Sequence, residues 1–364
     1  EGAALEQEGK ISQAIDAYKE AVQVDPTNAG VNVTLAKLEA MNGDYTNAIL
    51  HAENALLINS DNSMAHAVRG WALGLSGEYL AAQTALQHAI EIDPNNAIPY
   101  AYLAEVLALM QQNGQGSLTT FDDAISYSQK ARDLGPNLLE THRARGIILE
   151  ITGENAEAIQ ELEAAIAINP NISELHIMLG RNYVATGDDA KAEEQYYKAN
   201  SLNPSDPWPD AYMSRLYLRT GDYTKAIQFA QQAVENDPAN PYFYINLGTM
   251  YYKNLMYPDA IASFRLGLRG GTTENGVELP GQVLSGDNVD AYYFYGLALA
   301  RGGECNEAIE ISALLQQTVP NDDIAMYNAQ EMINICQDIA NGGTGESATS
   351  TPEGGPAVTE SPQP

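Results

Sequence analysis

The sequence predicts an all-α fold built from one helix pair repeated about nine times, and three observations carry that reading. Ala14, Ala48, Ala82, Ala124, Ala158, Ala192, Ala226, Ala260 and Ala308 recur with a dominant spacing of 34 residues. A period of that length belongs to repeat architectures rather than to independent globular domains. Twelve residues before each alanine stands a small residue, Gly2, Ala36, Gly70, Gly146, Gly180, Ser214, Gly248 or Gly296, with Ala104 displaced by an insertion. Two backbones must approach closely there. Twelve residues after the alanine comes Pro26, Pro94, Pro136, Pro170, Pro204, Pro238 or Pro320, which stops a helix and turns the chain.

Within each unit the first helix ends at a glycine five residues before the alanine. Gly9, Gly43, Gly77, Gly153, Gly187, Gly221 and Gly303 stand at that place, suited to a left-handed helix cap. The second helix carries the alanine and runs to the proline, which Ser60 and Thr272 replace in two copies.

The runs Gly43-Asp44-Tyr45-Thr46-Asn47-Ala48-Ile49 and Gly221-Asp222-Tyr223-Thr224-Lys225-Ala226-Ile227, with the pairs Leu179-Gly180 and Leu247-Gly248, resemble the tetratricopeptide repeat. Nine such units cover residues 1–322. The resemblance implies a right-handed α-solenoid of antiparallel helix pairs, the first helices lining a concave groove and the second forming the outer wall. A single pair cannot bury its apolar face alone, so stability comes from stacking on neighbours.

Departures from the period mark the remaining elements. Residues 113–120 are an eight-residue loop insertion in the fourth unit. Residues 270–289 form a longer excursion, in which Val277-Glu278-Leu279 and Gln282-Val283-Leu284 flank Pro280-Gly281 and read as a small hairpin. Its edge is either a docking element or a flap folded over the last repeats. Residues 323–340 keep helical spacing and read as a capping helix. Residues 341–364 are a tail rich in Gly, Pro, Ser and Thr, too poor in apolar surface to order alone.

Charge narrows the function. With 48 Asp and Glu against 18 Lys and Arg the net charge is −30, which opposes nucleic-acid and anionic-membrane binding. No apolar run is long enough to span a bilayer. No catalytic constellation is present, and no metal or cofactor is expected. His66, His142 and His176 share one repeat position and read as packing residues, since no ligand stands beside them at zinc spacing.

The groove positions that the resemblance implies hold seven basic residues, Lys37, Arg143, Arg181, Arg215, Arg219, Lys253 and Arg301, against the acids Glu105, Glu140, Glu150, Glu174 and Asp290. Trp71, Trp208, Tyr242, Tyr252 and Tyr293 stand at the same positions. Arginine grips carboxylates bidentately and aromatic rings anchor peptides, so these residues form the candidate binding surface. The alternative is that the cations pair with the groove's own acids. The carboxylate clamp of chaperone-binding family members needs Lys and then Asn; the chain has Val33 with Lys37, and Arg143 with Ile147, and does not match it.

Cys305 opens the second helix of the last unit and Cys336 lies near the end of the capping helix, so antiparallel packing brings them together as a candidate disulfide. A disulfide, the Ser/Thr/Pro-containing tail and an opening Glu1 without Met all favour an extracytoplasmic, secreted or cell-surface protein. Asn171 is the candidate N-glycosylation site, and Ser347, Thr349, Ser350, Thr351, Thr359 and Ser361 are candidate O-glycosylation sites. Asn32 also heads an acceptor triplet but falls within a helix. The expected function is a non-catalytic scaffold that associates head-to-tail with other copies of itself into a filament or surface assembly. A monomeric adaptor holding an acidic or Pro-rich peptide in its groove is the alternative.

Overall fold

The computed structural model describes residues 1–117 and 119–345. They fall into two compact units, Glu1–Leu202 and Asn203 onward. The first unit holds six helix pairs: α1 Gly2–Gln7 with α2 Ile11–Val24, α3 Ala29–Met41 with α4 Tyr45–Ile58, and α5 Ser63–Leu75 with α6 Tyr79–Ile92. They continue as α7 Ala97–Gln112 with α8 Thr120–Leu134, α9 Leu139–Ile151 with α10 Asn155–Ile168, and α11 Ser173–Thr186 with α12 Asp189–Leu202. The second unit begins with α13 Pro207–Thr220, α14 Tyr223–Asn236, α15 Pro241–Lys253 and α16 Tyr257–Phe264. After a π-helical turn, Arg265–Arg269, come strands β1 Gly271–Thr272 and β2 Glu278–Leu279, then α17 Val289–Arg301, α18 Cys305–Thr318 and α19 Asp323–Ala340. Each unit is a stretch of all-α solenoid.

The repeat signals act as short-range chemistry. Asn28, Asn62, Asn96 and Asn240 precede first helices, and each side-chain oxygen accepts an N–H from the opening turn. Asp44 and Asp222 do the same for second helices. The seven cap glycines have φ between 74° and 87°, where a Cβ is disfavoured. In the eighth repeat that place falls to Leu255, which adopts φ 60°. All nine repeat alanines are fully buried. The small residue of the first helix faces the side chain four residues past the alanine: a Cβ on Gly146 would lie 2.8 Å from Leu162, and one on Gly248 2.9 Å from Phe264.

One recurrent contact has no counterpart in the sequence reading. The fourth side chain of the first helix bonds the carbonyl six residues upstream, at the proline position: Asn32 to Pro26, His66 to Ser60, Tyr100 to Pro94, His176 to Pro170 and Tyr244 to Pro238. Two of the shared-position histidines thus fasten the turn between repeats. The third, His142, turns instead to Glu161, at 2.6 Å.

The excursion in the second unit contains a hairpin, though not the expected one. β1 pairs antiparallel with β2, Gly271 opposite Leu279 and Thr272 opposite Glu278, and the turn runs through Thr273 and Gly276 rather than Pro280-Gly281. Leu279 and Leu284 are buried, Gln282 donates its N–H to the Leu268 carbonyl, and its own carbonyl accepts the Tyr292 hydroxyl. The segment is folded back onto its unit. α19 packs against α17 and α18 with Met332 and Ile335 fully buried, and a disulfide joins Cys305 to Cys336 across a Cα separation of 5.5 Å.

Candidate protein-binding site

The two units treat the same repeat positions differently. In the first unit the groove cations are consumed internally. Arg143 on α9 is 2% exposed and donates two hydrogen bonds to Glu105 on α7, at 2.8 and 3.0 Å. The Trp71 indole N–H of α5 donates to the same carboxylate at 2.9 Å. The guanidinium lies 4.5 Å from the Trp71 ring, which stacks on Tyr102 at 4.7 Å. Arg181 donates an Nη2 hydrogen bond to Glu150 at 3.0 Å, with its Nε at ion-pair distance, 2.9 Å, and Lys37 of α3 reaches Glu140 of α9 at 2.6 Å. Burial pushes the Glu105 carboxyl up to about 7, opposed by Arg143 and the Trp71 donor.

The bond from Lys37 to Glu140 closes a gap of 103 residues. The first unit therefore curls until helices three pairs apart meet, and a side chain on Gly9 would run into Asn171. Arg143, Arg181 and Trp71, expected as groove ligands, are instead engaged by carboxylates of the neighbouring first helix, as the alternative reading has it: Arg143 and Trp71 are buried and Arg181 half-buried. Asn171, expected as an exposed acceptor, is half-buried against the α1–α2 turn. The serine and threonine candidates Ser347, Thr349, Ser350, Thr351, Thr359 and Ser361 lie outside the described residues.

In the second unit Arg215, Lys253 and Arg301 have no carboxylate within ion-pair distance among the described residues, and they rest on aromatic rings instead. Arg215 of α13 lies 5.4 Å from the Tyr242 ring of α15. Lys253 holds its ammonium 4.6 Å from the Phe294 ring of α17. Arg301 lies 5.7 Å from Tyr252 and 5.9 Å from Tyr257 and donates to the Tyr252 hydroxyl at 3.0 Å. Tyr252 and Phe294 are in contact, with centroids 5.1 Å apart, and Tyr293 packs on Phe294 at 4.7 Å. Burial, then the nearby Arg301, lowers the Lys253 ammonium from its usual range. Burial pushes Tyr252 up to about 12, opposed by Arg301 and supported by Tyr257 and Glu331.

Two further candidates do different work. Trp208 is a packing residue, wedged against Tyr212, Tyr242 and Phe243. Arg219, at the repeat position of Lys253 and Arg301, is exposed. Phe294 and Tyr257 are site residues that the groove rule misses, because they lie beside the groove positions and support the cations from below.

No group of three or more His, Cys, Asp or Glu among the described residues is placed to hold a metal ion, and none of the helices is long and apolar enough to cross a membrane. The arrangement offers hydrogen-bond donors and ring faces for recognition.

No curated protein matches the chain. Among solved structures, the APC/C hetero-tetramer Cut9–Hcn1 aligns with a TM-score of 0.70 at 16% identity over 88% of this chain, which spans only 59% of that one. A tetratricopeptide repeat protein from Parabacteroides merdae ATCC 43184 aligns at TM-score 0.50 and 14% identity, over 75% of this chain and 99% of that one. Both are likenesses of fold. Family models described as tetratricopeptide repeat match residues 5–72, 65–96, 144–172, 173–206 and 213–274. With the period, the caps and the stacked helix pairs, these matches place the chain in the tetratricopeptide repeat family.

Proposed function

We propose that the protein is an interaction scaffold whose second unit holds an extended acidic segment of another protein along α13, α15 and α17. The observation that carries this reading is the contrast between units. Arg143, Arg181 and Lys37 each have a carboxylate, whereas Arg215, Lys253 and Arg301 have none at ion-pair distance among the described residues. A cation seated on a ring still has N–H groups to donate, and acidic side chains are their natural complement.

The test is titration of the full chain with a ten-residue Glu-rich peptide and its Gln isostere. Binding should be confined to the Glu peptide, weaken with salt and disappear in a triple Arg215→Gln, Lys253→Gln, Arg301→Gln variant. It should persist in Arg181→Gln. Equal binding of both peptides, or loss in Arg181→Gln alone, overturns the reading.

Self-association is the second reading, favoured by the chain's own charge: a protein with 48 acidic residues can offer carboxylates to the ring-seated cations of a second copy. The Cys305–Cys336 bridge supports an oxidising, extracytoplasmic setting for either form.

A further inference from the structure

Resting on that reading, the geometry points to a defined subsite at the α15–α17 end of the face. We propose that Lys253, Arg301 and the Tyr252 hydroxyl together bind one carboxylate of the partner, an Asp or Glu flanked by an aromatic residue that packs on Phe294 and Tyr293.

The donor count argues for an anion. Lys253 offers an ammonium and Arg301 a guanidinium with N–H groups beyond the one given to Tyr252. The Tyr252 hydroxyl accepts that bond, and its own proton has no acceptor among the described residues. Three donor groups therefore border the contacting Tyr252–Phe294 ring pair, with no carboxylate bonded to any of them among the described residues. Arg301 stands near enough to disfavour the charge on Lys253, and neither has a carboxylate at ion-pair distance among the described residues, so a negative ligand completes them.

The surroundings select its charge. The titratable groups facing the cluster are Glu331 of α19, which acts on Tyr252, Asp290 of α17 and Asp322, which act on Tyr293, and Tyr257 of α16. That acidic rim opposes a dianionic phosphate more than a single carboxylate. The ring pair selects the neighbour: Phe294 and Tyr293 are half-buried, set edge to face, and leave surface on which a further ring gains apolar and quadrupole contact.

The experiment compares four acetylated, amidated eight-residue peptides differing at two central positions: Glu-Tyr, Gln-Tyr, Glu-Ala and phosphoserine-Tyr. Binding is read by fluorescence anisotropy. Glu-Tyr should bind best. Gln-Tyr should lose about ten-fold or more, the scale of a charged hydrogen bond. Lys253→Met and Arg301→Met, checked for unchanged thermal melting, should each lose as much for Glu-Tyr and little for Gln-Tyr.

Calorimetry in two buffers of different ionisation enthalpy, at mildly alkaline pH, supplies a reading that general attraction does not. A carboxylate beside Lys253 favours its charged form, so binding should take up protons, and the uptake should vanish in Lys253→Met. Tighter binding of phosphoserine-Tyr overturns the single-carboxylate assignment. Acidic binding that survives both Met variants but fails in Arg215→Met overturns the subsite and leaves the scaffold reading standing, whereas no acidic binding at all removes the scaffold reading itself. Self-association of the wild type that both Met variants abolish, seen by sedimentation, gives the subsite to a second copy and overturns the foreign peptide.

Discussion

Arg143 holds a repeat position that points into the groove, yet its environment is that of a core residue. It shares Glu105 with Trp71 and is closed off by Tyr102. Breaking one side of such a pair strands the other charge away from water. Arg143→Met should therefore lower the stability of the first unit by about 3 to 5 kcal/mol, and Arg143→Met with Glu105→Leu should recover most of it. Urea unfolding checks both; an unchanged single variant would show that the pair is not buried in solution. Asp210, on α13, makes a second residue-scale case. Burial, then Asp206, pushes its carboxyl up to about 6, with Asn236 pulling it back. The unfolded value is about 3.9, so the sign is fixed. Below both values the group contributes nothing differential, and between them the unfolded state ionises first. Stability thus falls as pH rises from about 4 to 6, by about 1 to 2 kcal/mol after allowance for solvent screening. Asp210→Asn should remove that increment from the melting-temperature profile, most visibly in the difference between variant and wild type.

Among the elements, glycines at two repeat positions serve opposite needs. Gly43 needs a positive φ and has open space around it, so Gly43→Ala should cost about 1 kcal/mol, the left-handed penalty alone. Gly180 is helical, and a Cβ there would lie 2.5 Å from the Tyr196 ring. Gly180→Ala should cost more, because that ring is fully buried and has nowhere to retreat. Leu255 reverses the logic: at φ 60° and 67% exposed it gains little from its side chain, so Leu255→Gly should stabilise by about 0.5 to 1 kcal/mol. Thermal melts of the three variants test the ordering. These positions are also where the sequence was most legible. Period, cap glycine, small residue and proline each enforce a local conformation, and together they located the helix pairs. The hairpin was misplaced because Pro280-Gly281 has turn chemistry, while the bonds that settle the register come from the fold: Gln282 to Leu268, and the Thr273 hydroxyl accepting from Val277.

At the scale of the whole molecule, a repeat position tells where a side chain points within its own helix pair but not how tightly successive pairs curl. The pairing of Lys37 with Glu140 depends on the sum of small rotations over three pairs, which no local pattern records. Hence the basic groove was readable and its occupancy was not: one unit closes on its own acids, while the other leaves cations seated on rings. The disulfide gives the second unit a separate source of stability. It ties the start of α18 to the end of α19 over a sequence separation of 31, worth about 3 to 4 kcal/mol by loop-closure entropy, and it secures the helix that covers Met332 and Ile335. The chain's two tryptophans make this testable unit by unit, since Trp71 lies in the first and Trp208 in the second. A Trp71→Phe variant reports the second unit through Trp208, and a Trp208→Phe variant reports the first through Trp71. Adding reductant should move the Trp208 fluorescence transition to lower temperature and leave the Trp71 transition where it was. An equal shift in both, or in neither, would mean that the bridge does not act through the α18–α19 cap.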